Sequence, residues 1–243
     1  MITDWLDFSE EIRTKNRFFP QNTLVLQQVD EMVNKHIEII DDGSIFYRAR
    51  LIGIEEMRLQ NGTLLGFPNK ESMSPEAQLA SAQRASPERI TYLYVAQDEY
   101  TALSEIRPGI FSFISLAEIK SIEKLKIFSL WVDLNENDLS SEHSQLAISF
   151  SAVISEKEKG IDYLPMQFIA EYVKNKGVDG ISYPSFQSAG GKNFVIFSKE
   201  KVEFVKSKVM YNQNTTYSFL DMNNPEKSQR LITQNRTYCL KIS

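Results

Sequence analysis

Three polar residues, far apart in the chain, sit inside or beside apolar, strand-like segments. They are Arg48 in Phe46-Tyr47-Arg48-Ala49-Arg50, Glu105 in Leu103-Ser104-Glu105-Ile106-Arg107-Pro108, and Ser185 in Ile181-Ser182-Tyr183-Pro184-Ser185. Charge planted in such surroundings is expensive to bury unless something pairs with it. Each is therefore a candidate for a ligand-facing position. An arginine clamps phosphate through a planar fork of donors. A carboxylate accepts hydrogen bonds from sugar hydroxyls, and a serine hydroxyl adds a neutral donor. Tyr94, shortly before Glu105, offers a flat apolar face with a polar tip, suited to stacking on a heteroaromatic ring.

Other chemistries find little support. Ser185 does not lie within Gly-x-Ser-x-Gly, and neither histidine has a triad-like context, so a serine hydrolase is a weak reading. The stretch Ser188-Ala189-Gly190-Gly191-Lys192-Asn193 lacks the first Gly at Walker spacing and a Ser or Thr after Lys192. It reads as a turn between strands, with Asn193 as its anchor. The single cysteine, Cys239, excludes an internal disulfide and a Cys-rich zinc site. His36 and His143 are isolated in sequence, so no His-ligated metal site is expected.

Each candidate also has an ordinary reading. A lone Glu105 reads as solvated, or as paired with Arg107. Arg48 reads as an edge-strand side chain reaching water. Arg84, in Arg84-Ala85-Ser86-Pro87, reads as a surface arginine. Arg50 shares the strand face of Arg48, so spacing does not rank the two.

The elements that must position these groups follow from periodicity. Residues 3–40 read as helical, with Leu26, Val29, Val33, Ile37 and Ile40 on one stripe. Ser44 to Leu51 alternates as a strand, Phe46, Arg48 and Arg50 on one face. Residues 58–89, punctuated by Pro68, Pro75 and Pro87, read as a long irregular stretch: a functional loop or a surface insertion. Ile90 to Ala96 is a strand with Leu93 and Val95 opposite to Tyr92 and Tyr94. Asp98 is placed to N-cap a short helix carrying Glu105, stopped by Pro108-Gly109. Further strands are expected at 111–116, 125–134, 181–186, 193–197 and 202–205. Helices are expected at 141–158 and 163–176, the second closed by Gly177. The mixture is α+β.

Composition limits the partners. The chain has 243 residues, 42% apolar and 24% charged, with a formal charge of −5. That is an ordinary globular composition with no nonspecific grip on nucleic acid. No run approaches the roughly 20 apolar residues of a membrane span, and the acidic start lacks a secretory apolar region. A cytoplasmic protein is expected.

Taken together, the pieces Tyr47-Arg48-Ala49, Arg84-Ala85-Ser86-Pro87, Tyr92-Leu93-Tyr94-Val95-Ala96, Thr101 to Pro108, and Asp179 to Ser185 running on to Asn193-Phe194-Val195-Ile196-Phe197 resemble the RES domain family, over about residues 45–200. The family is named for Arg, Glu and Ser in this order. The resemblance implies an ADP-ribosyltransferase-like mixed core of short β-strands with surrounding helices. It implies a RES catalytic domain over 43–206; outside it are expected an N-terminal helical extension over 1–42 and a C-terminal extension over 207–243 packed on or beside the core. It implies a bacterial toxin that degrades NAD⁺, paired in many members with an Xre-type antitoxin. Carried onto this chain, the catalytic positions fall on Arg48, Glu105 and Tyr94, and the substrate-binding positions on Arg84 and Ser185. One departure is Ser86, where the family often has Asn.

The implied reaction breaks the nicotinamide–ribose bond, either by phosphorolysis to ADP-ribose 1″-phosphate or by hydrolysis. It needs no cofactor or metal, with NAD⁺ as substrate and inorganic phosphate as co-substrate. Mono-ADP-ribosylation of a protein, and a scaffold that binds without catalysing, are the competing readings.

Overall fold

The computed structural model describes residues 2–132, 141–152 and 159–215. Helices α1 (Ile2–Thr14) and α2 (Leu24–Lys35) open the chain. Of the stripe expected along α2, Val29 and Val33 are buried and Leu26 is half-buried; Val25 and Met32 complete the buried face. The chain is not helical throughout 3–40, however. Pro20 stands in the break between the helices, where the Glu11 carboxylate accepts the backbone N–H groups of Gln21 and Asn22 at 2.6 and 3.0 Å. After His36 the chain turns into strand β1 (Ile37–Ile40). A β-branched run fits a pleated, half-buried surface better than a helix. Ile37 and Ile40 therefore belong to the sheet, not to the helical stripe.

The remaining strands of the main sheet are β2 (Ile45–Leu51), β5 (Leu93–Ala96), β6 (Phe113–Ser121), β7 (Leu125–Ser129), β8 (Gly180–Pro184), β9 (Lys192–Ile196) and β10 (Val202–Tyr211). Their order is β1-β7-β8-β9-β5-β2-β6-β10. Only β7 and β8 run parallel; the other neighbours are antiparallel. Strands β1 and β10 form the two edges, so residues 37–40 and 207–211 are strands of the main sheet.

The irregular stretch over 58–89 contains a small hairpin, β3 (Arg58–Gln60) and β4 (Thr63–Leu65), paired antiparallel. Asn61 and Gly62 join it with φ of 51° and 76°. Two left-handed residues of this type make the tight turn that matches strand twist. Helix α3 (Asn69–Ser72) follows. Strand β5 begins at Leu93, not at Ile90, because Pro87 and the positive φ of Arg89 hold the preceding residues in a turn.

Helices α5 (Glu142–Ser151), α6 (Lys159–Asp162) and α7 (Leu164–Lys174) complete the described chain together with α4 (Glu99–Glu105). The ends of two expected elements, 133–134 and 153–158, lie outside the described residues, as does 216–243. One sheet face is covered by α1, α2, α5 and α7: Phe8, Val29, Phe150 and Ile169 pack with Phe128, Ile181 and Val195. Phe46, Leu93, Val95, Ile119 and Phe194 form a cluster on the opposite face, with Met73 against it. Beneath α4 lies a third cluster, Ala49, Ala96, Ala102, Ile114 and Leu116. No helix among the described residues is long and apolar enough to cross a membrane.

Candidate active site

Strands β2 and β5 touch only where Tyr47 lies opposite Ala96, whereas β2 pairs with β6 along its whole length. The sheet therefore opens between β2 and β5. A cleft of about 190 Å³ occupies this opening, lined by β2 (Tyr47, Arg48, Ala49), β5 (Tyr94, Val95, Ala96), α4 (Ala102, Glu105), Tyr183 and Asn193. Register explains how residues so distant in sequence meet. Tyr183 lies opposite Asn193, Asn193 opposite Ala96, and Ala96 opposite Tyr47. These four residues form one row across four strands. Side chains on one face of a sheet that share such a row are neighbours. The short side chain of Ala96 makes the hollow between its larger neighbours.

Glu105 is the last residue of α4. The helix is started by Asp98, whose side chain accepts from the Thr101 N–H at 2.9 Å. A carboxylate at a helix C-terminus meets the negative end of the dipole, a disfavoured place by roughly 0.3–1 kcal/mol. Two hydrogen bonds offset this. Glu105 Oε1 accepts from Ser185 Oγ and from Asn193 Nδ2, each at 2.6 Å. Such short bonds to an ionised oxygen are about twice as strong as neutral ones. Ser185 has no freedom to turn away: its Oγ accepts the backbone N–H groups of Gln187 and Ser188, both at 3.0 Å. Its one hydrogen therefore points at Glu105. The same logic orients Asn193, since only its nitrogen donates to a carboxylate. Both residues are buried. Glu105 Oε2 has no protein partner among the described residues.

Arg48 alternates to the face of Phe46, yet it lines the cleft, as does Val95 from the same face. The cleft thus passes into the gap between the strands. Arg48 Nη1 donates to the carbonyls of Ser72 and Met73 at 3.1 and 3.2 Å. No carboxylate among the described residues pairs with it. Burial, and then the nearby Arg50, lower its pKa to about 10. It stays cationic at neutral pH, as a guanidinium held by dipoles alone, and such a group attracts an anion. Arg50 is exposed; it donates to the Glu71 carbonyl and lies over the Phe67 ring at 4.9 Å. Burial thus ranks the two arginines that spacing left equal.

Tyr94 presents its ring to the cleft while its hydroxyl is tied behind, accepting from the Ala85 N–H and bonded to Ser86 Oγ, both at 3.0 Å. Burial raises its phenol to about 12. The Arg84-Ala85-Ser86 segment is thereby fastened to the back of the ring. Arg84 itself donates to the carbonyls of Phe150 and Ala152 at the end of α5, the latter at 2.6 Å, and lies 6.0 Å from the Tyr183 ring. It is a neighbour of the cleft wall and not part of the lining.

The structure therefore brings Arg48, Tyr94 and Glu105 to one cleft, with Ser185 behind Glu105 and Arg84 behind Tyr183. The sequence alone marks Asn193 only as a turn anchor and does not single out Tyr183 or Ala96. The signal that finds them is strand register, which a single sequence does not carry. The histidines, isolated in sequence, stack at 4.2 Å between ring centroids, and neither lines the cleft. Among the described residues no group of three or more His, Cys, Asp or Glu could hold a metal ion.

A family model described as RES domain matches residues 64–219. The matched span takes in Arg84, Tyr94, Glu105 and Ser185 and begins after Arg48. No curated protein matches. Among solved structures, a chain of the crystal structure of the M. tuberculosis MbcT-MbcA toxin-antitoxin complex is similar with a TM-score of 0.44 and 12% identity, over 76% of this chain and 91% of that one.

Proposed function

The chain belongs to the RES domain family, and on that premise we propose that its cleft cleaves the nicotinamide–ribose bond of NAD⁺, with inorganic phosphate as the acceptor. The observation that carries this reading is the way Glu105 is held: one carboxylate oxygen pinned by Ser185 and Asn193, the other left for a ligand beside Tyr94 and Arg48. Ligand pockets for drug-sized molecules run to about 300–1,000 Å³. A cleft of about 190 Å³ suits one end of a dinucleotide, with the rest lying outward.

The chemistry fits these groups. Nicotinamide leaves neutral from a cation, so its departure needs no strong base. The C1″–N bond breaks, its electron pair goes to the ring nitrogen, and positive charge develops on the ribose. Glu105 Oε2 accepts a ribose hydroxyl and stabilises that charge. Preorganised charge aimed at a developing ion is usually the largest catalytic contribution. Tyr94, immobilised through its hydroxyl, stacks on the nicotinamide ring. A phosphate oxygen then bonds to C1″, giving ADP-ribose 1″-phosphate, and the phosphate releases its proton to solvent. A phosphate anion approaching Glu105 is repelled unless a cation accompanies it, and the unneutralised Arg48 supplies that cation. Ser185, whose hydrogen faces Glu105, acts by holding the carboxylate.

Family membership further supports a bacterial toxin held in check by an Xre-type protein, acting in the cytoplasm. Incubation of the purified chain with NAD⁺, with and without phosphate, tests the reaction by its products. A phosphorylated ADP-ribose that forms only with phosphate supports phosphorolysis. Free ADP-ribose in both mixtures replaces phosphate by water. A mass gain on a protein replaces it by ADP-ribosyl transfer, and unchanged NAD⁺ removes the enzymatic reading.

A further inference from the structure

Tyr183 lines the cleft at 8% exposure, on the row that also carries Asn193 and Ala96. Its ring is held by Phe150 at 6.1 Å and by the Arg84 guanidinium at 6.0 Å. Its hydroxyl has no hydrogen-bond partner among the described residues. Tyr92 provides the contrast: its hydroxyl is also unpartnered but is sealed away from any accessible space, and Tyr92 is not in the cleft lining. Tyr183, by contrast, lines the cleft. A buried hydroxyl without a partner lowers stability relative to the same ring without it. Packing alone would be served better by phenylalanine here. Because the residue lines the cleft, a ligand placed there can complete the hydrogen bonding of this group.

We propose that Tyr183 is a substrate-contacting residue, whose hydroxyl bonds a neutral polar group of the dinucleotide: the carboxamide of the nicotinamide half or a hydroxyl of the ADP-ribose half. The inference rests on the reading of the cleft as an NAD⁺ site. Burial raises the phenol above its ordinary value, so it is a hydrogen-bond donor at neutral pH. Glu105, Arg84, Tyr94 and Tyr163 are the titratable groups that face it. Because Glu105 already accepts from Ser185 and Asn193, Tyr183 supplies the cleft with a hydrogen-bonding group independent of that carboxylate.

The test compares the full chain, Tyr183→Phe and Tyr92→Phe. Nicotinamide and ADP-ribose are titrated separately by calorimetry, thermal unfolding is followed, and NAD⁺ turnover is measured. Both variants lose an unpartnered hydroxyl, so both should unfold at or above the wild-type temperature. Tyr92→Phe should bind both probes and turn over NAD⁺ as the wild type does. Tyr183→Phe should bind one probe about ten-fold more weakly, a loss typical of one hydrogen bond, and the probe that weakens identifies the contacted half. Wild-type affinity of Tyr183→Phe for both probes overturns the proposal, as does a wild type that binds neither. Binding of the probes without NAD⁺ cleavage removes the proposed reaction and leaves the Tyr183 contact standing. Cleavage with an unchanged Tyr183→Phe removes the contact alone.

Discussion

Ser185 Oγ and Glu105 Oε1, 80 residues apart in the chain, are joined by a 2.6 Å hydrogen bond. The serine stands on a loop after β8 and the glutamate at the end of α4. Their meeting ties the end of β8 to the helix beside the sheet's opening.

This bond makes Ser185→Ala a double loss. Glu105 loses a donor, and the N–H groups of Gln187 and Ser188 lose their acceptor in a buried site. Stability should fall by about 1–3 kcal/mol, and NAD⁺ turnover should fall with it. Urea unfolding read beside kinetics checks both. Lost turnover at unchanged stability would show that the loop does not depend on the hydroxyl.

Glu105→Gln should separate the two properties. Gln keeps an acceptor for Ser185 and Asn193 and removes a charge that the C-terminus of α4 disfavours, so the unfolding temperature should stay near the wild type. Turnover should drop about 100-fold or more, the scale of losing one preorganised electrostatic group. Comparison of kcat with thermal unfolding tests this, and retained turnover would remove Glu105 from the reaction.

For Arg48, the informative replacement is lysine. Arg48→Lys keeps a charge but not the planar fork, which donates to the Ser72 and Met73 carbonyls and on the proposed reading also to phosphate. The KM for inorganic phosphate should rise about ten-fold or more, while Arg50→Ala should leave it near wild type. A phosphate KM that is equal in Arg48→Lys and wild type would exclude Arg48 as the phosphate clamp.

Ala96→Leu should close the hollow between Tyr47 and Asn193. Turnover should become undetectable with Glu105, Ser185 and Asn193 all in place, at a stability loss of about 1–3 kcal/mol from overpacking. Calorimetric titration with nicotinamide checks that the ligand, not the chemistry, is excluded.

Asp179 sets an acid limit on the fold. Burial disfavours its charge, but the Lys126 N–H at 2.8 Å, Lys201 at 2.9 Å and Ser198 Oγ at 2.7 Å outweigh that and hold its pKa below 3.8. A carboxyl lowered in the folded state contributes stability that is complete above its unfolded value and is lost as pH falls through the folded one. Wild-type stability should therefore decline as pH drops below about 4, and Asp179→Asn should show a shallower decline. Urea midpoints against pH would reveal equal slopes if Asp179 were not responsible.

Much of this architecture is legible in the residues themselves. The alternation around Arg48 and Tyr94 and the Asp98 cap depend on local chemistry and lie where the sequence puts them; α7 ends at Lys174, two residues short of the expected end, and Gly177 turns the chain after it with φ of 78°. The Asn61-Gly62 turn is equally local and marks a hairpin that punctuation by prolines concealed. What remained hidden is non-local. Ile37 and Ile40 fit a helical stripe until the neighbouring β7 claims them. Asn193 and Tyr183 gain meaning only from the register that sets them beside Ala96. Arg84 faces helix carbonyls that lie 66 and 68 residues further on.

The central claim concerns one carboxylate and one bond. Phosphorus NMR of NAD⁺ incubated with the wild type and with Glu105→Gln, in phosphate and in phosphate-free buffer, tests it most directly. The account predicts an ADP-ribose 1″-phosphate resonance for the wild type in phosphate alone and none for the variant. An intact NAD⁺ spectrum with the wild type, or the same product from both proteins, would contradict it.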